Sequence, residues 1–273
     1  MKKTIKSLIL CIILGTASTC LHAENRVRIG VKGGVNASTT SVSLSKYSQE
    51  HYLQNNTEYK YNAGFNAGIL VEFPISKILS LQPGLNLSMK GMRNESYVAR
   101  NVSATSGIIK EELNATSRIS SYYIEFPLYI KYALNITRLN KFIAGAGPYF
   151  AYGISGKMKS EFTLSTSSIH WKGEKDIFKG DDMHFNENRW TDHSSVLGNA
   201  ANLIREPYWR KPLKRFDGGI SGFVGYEFQE KWFATISYDV GLINSLNAAE
   251  AWDGKVDGKM YNRTFSLSLG YKF

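Results

Sequence analysis

Apolar and polar residues alternate with a period of two in eight stretches of this chain. In the first, Val27, Ile29, Val31 and Val35 share a face opposite Arg28, Gly30, Lys32 and Gly34. The second runs from Tyr59 to Phe73, with Tyr59, Tyr61, Phe65, Ile69 and Val71 opposite Lys60, Asn62, Asn66 and Glu72. Leu79, Leu81, Leu85, Leu87 and Met89 mark the third; Tyr122, Ile124, Phe126, Leu128, Ile130 and Tyr132 mark the fourth. FIAGAGPYFAYGI (142–154), 216–228 and 232–242 come next, and TFSLSLGYKF (264–273) is the eighth. Successive side chains of a strand point to opposite faces, so each stretch predicts a two-faced β-strand.

Two structures share that period: a soluble β protein with the apolar face inside, and a membrane barrel with it outside. The connections separate them. Short links at 74–77, 135–140 and 229–231 alternate with long polar segments at 38–58, 94–116, 159–214 and 244–259. Up-and-down barrels of outer membranes have short periplasmic turns and long external loops. Aromatic residues cluster near strand ends on the apolar face, as in the girdles of such barrels. We expect an all-β fold, an eight-stranded antiparallel up-and-down transmembrane β-barrel. Ten strands is the alternative, should the long 159–214 segment hide another hairpin. In a bilayer every backbone polar group needs a protein partner, so the last strand is expected to pair with the first.

Residues 1–23 read as a cleaved signal peptide: Lys2, Lys3 and Lys6, then an apolar run from Leu8 to Leu14, then small residues up to Ala23. The barrel domain would then occupy 24–273. Both cysteines, Cys11 and Cys20, lie in the leader, so the mature chain has no thiol. Cys20 as a lipidated first residue is the competing reading, and Thr19 fits poorly before it. Net charge is +10, falling to +7 without the leader lysines, and the basic residues are scattered. With export, this argues for a solvated surface and against nucleic acid.

The polar face of the strands carries Arg28, Lys32, Lys60, Glu72, Lys90, Glu125, Lys131, Asp217, Glu227, Asp239 and Lys272. Eight strands leave an interior just wide enough for side chains. Charges there are expected to pair across the lumen as a plug; a narrow ion path lined by them is the alternative.

No catalytic residue is expected. His193 lies near Asp192 and Ser195, the residue types of a hydrolase, but no strand holds their geometry. Asp181, Asp182, His184 and His193 match no metal-site spacing, so no metal and no cofactor are expected. Trp171, Trp190 and Trp209 in the longest loop are possible surface contacts, set against a plain extension of the strands as a rigid collar.

GVKGGVNAS (30–38), EFPLYIKY (125–132), GAGPYFAY (145–152), RFDGGISGFVGYEF (215–228) and the final SLGYKF resemble one family. It is the small outer-membrane β-barrel proteins common in Bacteroidetes, called porin-family or PorT-like. The resemblance implies an eight-stranded barrel in the cell outer membrane but no single activity. In barrels generally, a last strand such as Phe265, Leu267, Leu269, Tyr271 and Phe273 is read by the assembly machinery. Expected partners are outer-membrane lipid, that machinery, and an unidentified extracellular or envelope protein. The expected role is structural or surface-interactive. Alternatives are a small-solute channel, a lipid hydrolase and a protein-secretion component.

Overall fold

In a computed structural model of the chain, the structure describes residues 26–44, 57–104, 107–164, 169–179, 184–185, 213–247 and 258–273. The leader, Trp190, Trp209 and His193 fall outside them.

Among the described residues ten antiparallel strands form: β1 (Arg28–Leu44), β2 (Thr57–Pro74), β3 (Leu79–Ala104), β4 (Gly107–Asn135), β5 (Lys141–Leu164), β6 (Ile169–Asp176), β7 (His184–Phe185), β8 (Phe216–Phe228), β9 (Trp232–Gly241) and β10 (Gly258–Lys272). Eight close a ring in the order β1-β2-β3-β4-β5-β8-β9-β10, and β10 returns to β1 from Gly30↔Lys272 to Leu44↔Gly258. Closure leaves the ring without an open edge.

The extra hairpin exists but does not widen the ring. β8 pairs with β5 only up to Tyr152, and β6 takes over the same edge from Lys157 to Leu164, with β7 on its far side. The result is an eight-stranded barrel with an arm. The polar segments expected to be loops are also partly strand, since β3 and β4 stay paired out to Ala104↔Gly107. Beyond the apolar zone both faces of a hairpin meet water, so the alternation fades while the ladder hydrogen bonds continue.

The apolar faces point outward. Ile29, Val35, Phe65, Ile69, Leu85, Phe126, Ile130, Phe150, Ile220, Ile236, Leu267 and Leu269 are all exposed, and Phe273 reaches 74%. Aromatic rings mark both limits of this band. Trp232, Tyr271 and Phe273 stack edge-on at the end with the short turns, and Phe65 meets Tyr122 at the other. Phe265, Leu267, Leu269 and Tyr271 of the expected assembly signal lie on the outward face of β10, and Phe273 follows one residue past its end. Inside sit the polar faces, buried: Ser38, Asn62, Ser88, Ser121, Ser221, Thr264 and Ser268 among them.

Candidate functional site: the barrel lumen

Near the short-turn end, strand parity brings five charged side chains from five strands into one layer. Lys131 Nζ lies 3.0 Å from Glu72 Oε1 and 3.0 Å from Glu227 Oε2. Lys272 Nζ is 2.6 Å from Glu72 Oε2 and also meets Glu227. Arg28 closes the group at 3.3 Å from Glu227 and 3.8 Å from Glu72. Ser80 donates a further hydrogen bond to Glu72 at 3.1 Å. Signs alternate around the square Glu72–Lys131–Glu227–Lys272, so every carboxylate touches cations on two sides. Without such pairing, charges this deeply buried are expensive to keep ionised.

Next along the axis comes a belt of apolar side chains: Leu70, Tyr129, Ile143, Phe223 and Phe233. Tyr129 meets Phe223 edge-on at 5.0 Å. Glycines make the space for these rings. A Cβ on Gly270 would stand 2.1 Å from Phe233 Cζ, and one on Gly145 2.5 Å from Phe223 Cε1.

Beyond the belt lies a second charged layer. Lys90 Nζ is 2.6 Å from Glu125 Oε1, 3.7 Å from Asp217 and 3.9 Å from Asp239, and it sits 4.5 Å above the Tyr149 ring. Asn262 donates to Asp217 at 3.0 Å, and Ser221 links Asp239 (2.5 Å) to the Tyr129 hydroxyl (2.8 Å). Lys32 lies between the layers and forms no ion pair among the described residues. It lines two cavities of about 20 Å³, one with Glu125 and Asp239, the other with Lys131 and Lys272. Each has room for a single water.

Lys60 departs from the expectation. A register shift in β2 between Tyr61 and Asn66 sets it opposite Arg93, where it pairs with Glu95 and Glu58 and stays exposed. It meets none of the other ten charges. One extra residue in a strand reverses the facing of every residue after it, and periodicity alone cannot reveal it.

The mouth at the hairpin end is closed by side chains that the alternation pattern did not single out. After β6 the chain turns inward and buries Ile177 completely and Phe178 to 5% exposure. They pack with Met92, Ile119, Tyr123, Tyr149, Leu246 and Met260. Asp176 Oδ1 holds the turn by accepting from the backbone N–H of Phe178 (2.8 Å) and Lys179 (3.0 Å). Gly153 leaves space for the Phe178 ring, and the Arg215 guanidinium stacks 4.9 Å over that ring. The signal was present in EKDIFKGDD: an isolated apolar pair among charges, preceded by an aspartate that favours a turn.

Trp171 lies in β6 opposite Phe162, and His184 in β7 opposite Glu174. Asp181, Asp182 and His193 lie outside the described residues.

The chain belongs to the outer membrane protein β-barrel domain family, whose model matches residues 17–247. Among curated proteins, none matches the sequence. Similar solved structures include Ail, the attachment invasion locus protein of Yersinia pestis, in complex with the heparin analogue sucrose octasulfate. It shares 12% identity, with 91% of this chain and all of that chain covered at a TM-score of 0.32. Neisserial surface protein A is similar at 11% identity over 91% and 100%, TM-score 0.33. OprG of Pseudomonas aeruginosa shares 12% identity over 90% and 95%, TM-score 0.36. At such values they say nothing of what this barrel does.

Proposed function

We propose that this barrel resides in the outer membrane as a closed scaffold, with its short turns toward the periplasm and its long hairpins presented outside. Its business is at the surface and not through the lumen. One observation carries the reading: the interior is filled in tiers, with ion-paired layers around Glu72 and Lys90, an apolar belt between them, and Ile177–Phe178 over the mouth. A filled interior stiffens the wall and leaves no water-filled path for a hydrated solute. Export by removal of residues 1–23, folding by the assembly machinery on the β10 signal, and a protein partner for the external hairpins belong to the same proposal. Kinship with the Bacteroidetes barrels rests on the motif resemblance, and the scaffold reading gives the protein no enzymatic role.

A narrow channel is the second reading, favoured by the two polar cavities around Lys32. Recordings on planar bilayers decide between them. The scaffold gives a flat baseline; steady unitary steps from the pure protein overturn it.

A further inference from the structure

Outside the lumen, the register of the strands assembles a feature no single strand displays. Lys60 of β2 pairs with Arg93 of β3, Arg93 with Arg118 of β4, and Arg118 with Lys159 of β5. Four cations thus stand side by side across four neighbouring strands, a row ~14 Å long at the usual strand spacing. Like charges directly opposite each other destabilise a sheet.

Carboxylates reach three of the four. Glu95 meets Lys60 and Arg93, and Glu174 meets Lys157 and Lys159. Arg118, beside the centre and exposed, has no carboxylate partner among the described residues. Arg118 is thus the one cation of the row that no described carboxylate meets.

Its height identifies the source that supplies them. Arg118 lies four residues beyond Tyr122, at the edge of the apolar band, and Lys157 is paired with Ser120, two beyond it. With ~3.3 Å per residue and a tilt of ~40°, Arg118 stands roughly 10 Å and Lys157 roughly 5 Å above the hydrocarbon. The polar headgroup layer is about 5–8 Å deep on each side, and long basic side chains reach down into it.

We propose that this row binds the phosphorylated headgroup of an outer-leaflet glycolipid. Arg118 takes its phosphates with Arg93 and Lys159 at its sides, and Glu95 and Glu174, which pair with those two, also hold the flanking Lys60 and Lys157 in place. A guanidinium meets phosphate oxygens through paired N–H donors, so Arg118 is the central ligand. The inference needs the membrane placement but not the closed lumen; a conducting barrel would leave it standing.

The test uses the full folded chain in detergent micelles and measures retention of purified diphosphorylated lipid A against the same lipid stripped of phosphate. The wild type prefers the phosphorylated form. Arg93→Gln/Arg118→Gln/Lys159→Gln loses roughly a hundredfold in that preference, at about one surface charge's worth per residue. It still migrates as a folded barrel before boiling. Should the triple variant fail to fold, Arg118→Gln, at an exposed site, carries the test alone with a loss of about fivefold, and Arg118→Lys recovers most of it. Equal preference in variant and wild type overturns the proposal. So does inorganic phosphate competing as well as lipid A at equal phosphate concentration, or a heparin fragment binding the row more tightly than lipid A.

Discussion

Replacing Glu72 by glutamine tests whether the short-turn layer is truly shielded from water. Glu72 is 3% exposed and touches Lys131, Lys272 and Arg28, with Ser80 donating to the same carboxylate. Glu72→Gln leaves three cations on the single carboxylate of Glu227. Removing one partner of a buried ion pair costs about 3–5 kcal/mol, because the remaining charge stays desolvated and unpaired. The loss is mostly restored by adding Lys131→Met, which returns the layer to two cations and one carboxylate. The double-mutant cycle therefore gives a coupling of about 2–3 kcal/mol, at the upper end for residues in direct contact. Urea unfolding in detergent, followed by the shift between compact and extended bands on unboiled gels, supplies the four free energies. A cost below about 1 kcal/mol for Glu72→Gln, the range of exposed pairs, would refute the reasoning. It would mean that water reaches the layer, and the closed-lumen reading would go with it.

The geometry sets three further outcomes. Ile177→Ser/Phe178→Ser unseats the cap, so a thiol placed at Ser121, now 1% exposed, reacts with a water-soluble maleimide at least ~10-fold faster than in the capped protein. Equal rates would show that the cap does not seal the mouth. Gly153→Ala puts a methyl 2.5 Å from the Phe178 ring and costs about 1–3 kcal/mol by overpacking, relieved by Phe178→Ala. No relief in the double variant would place the strain elsewhere. On the external hairpins, a hydrogen bond from Lys157 lowers the pKa of Glu174, and one from Lys60 lowers that of Glu95, both below the ordinary 4.5. A glutamate lowered in the folded state stabilises it above the unfolded value. That contribution disappears as pH falls from 4.5 through the folded value, so carboxyl NMR titrations should give midpoints under 4.5 for both. Midpoints at or above 4.5 would show these ion pairs to be absent in solution.

Much of this barrel is written in local pattern. Alternation fixes which side chains of a strand share a face, whatever the strand pairs with. Spacing therefore put Ile29, Phe126 and Leu267 on the apolar faces and Glu72, Lys131 and Asp217 on the polar ones, and the alternation of short and long links turned the apolar faces outward. Alternating short and long links set the order of the strands for the same reason, since a two-strand turn needs few residues. Register is not local. Lys272 meets Glu72 from 200 positions away, and only closure of β10 on β1 decides at what height each charge enters the lumen. The bulge that turns Lys60 away, the inward turn that seats Ile177 and Phe178, and the outer row through Arg118 all depend on pairing between strands. Each is settled by a sum of many ladder bonds and contacts around the ring, a quantity no single strand contains.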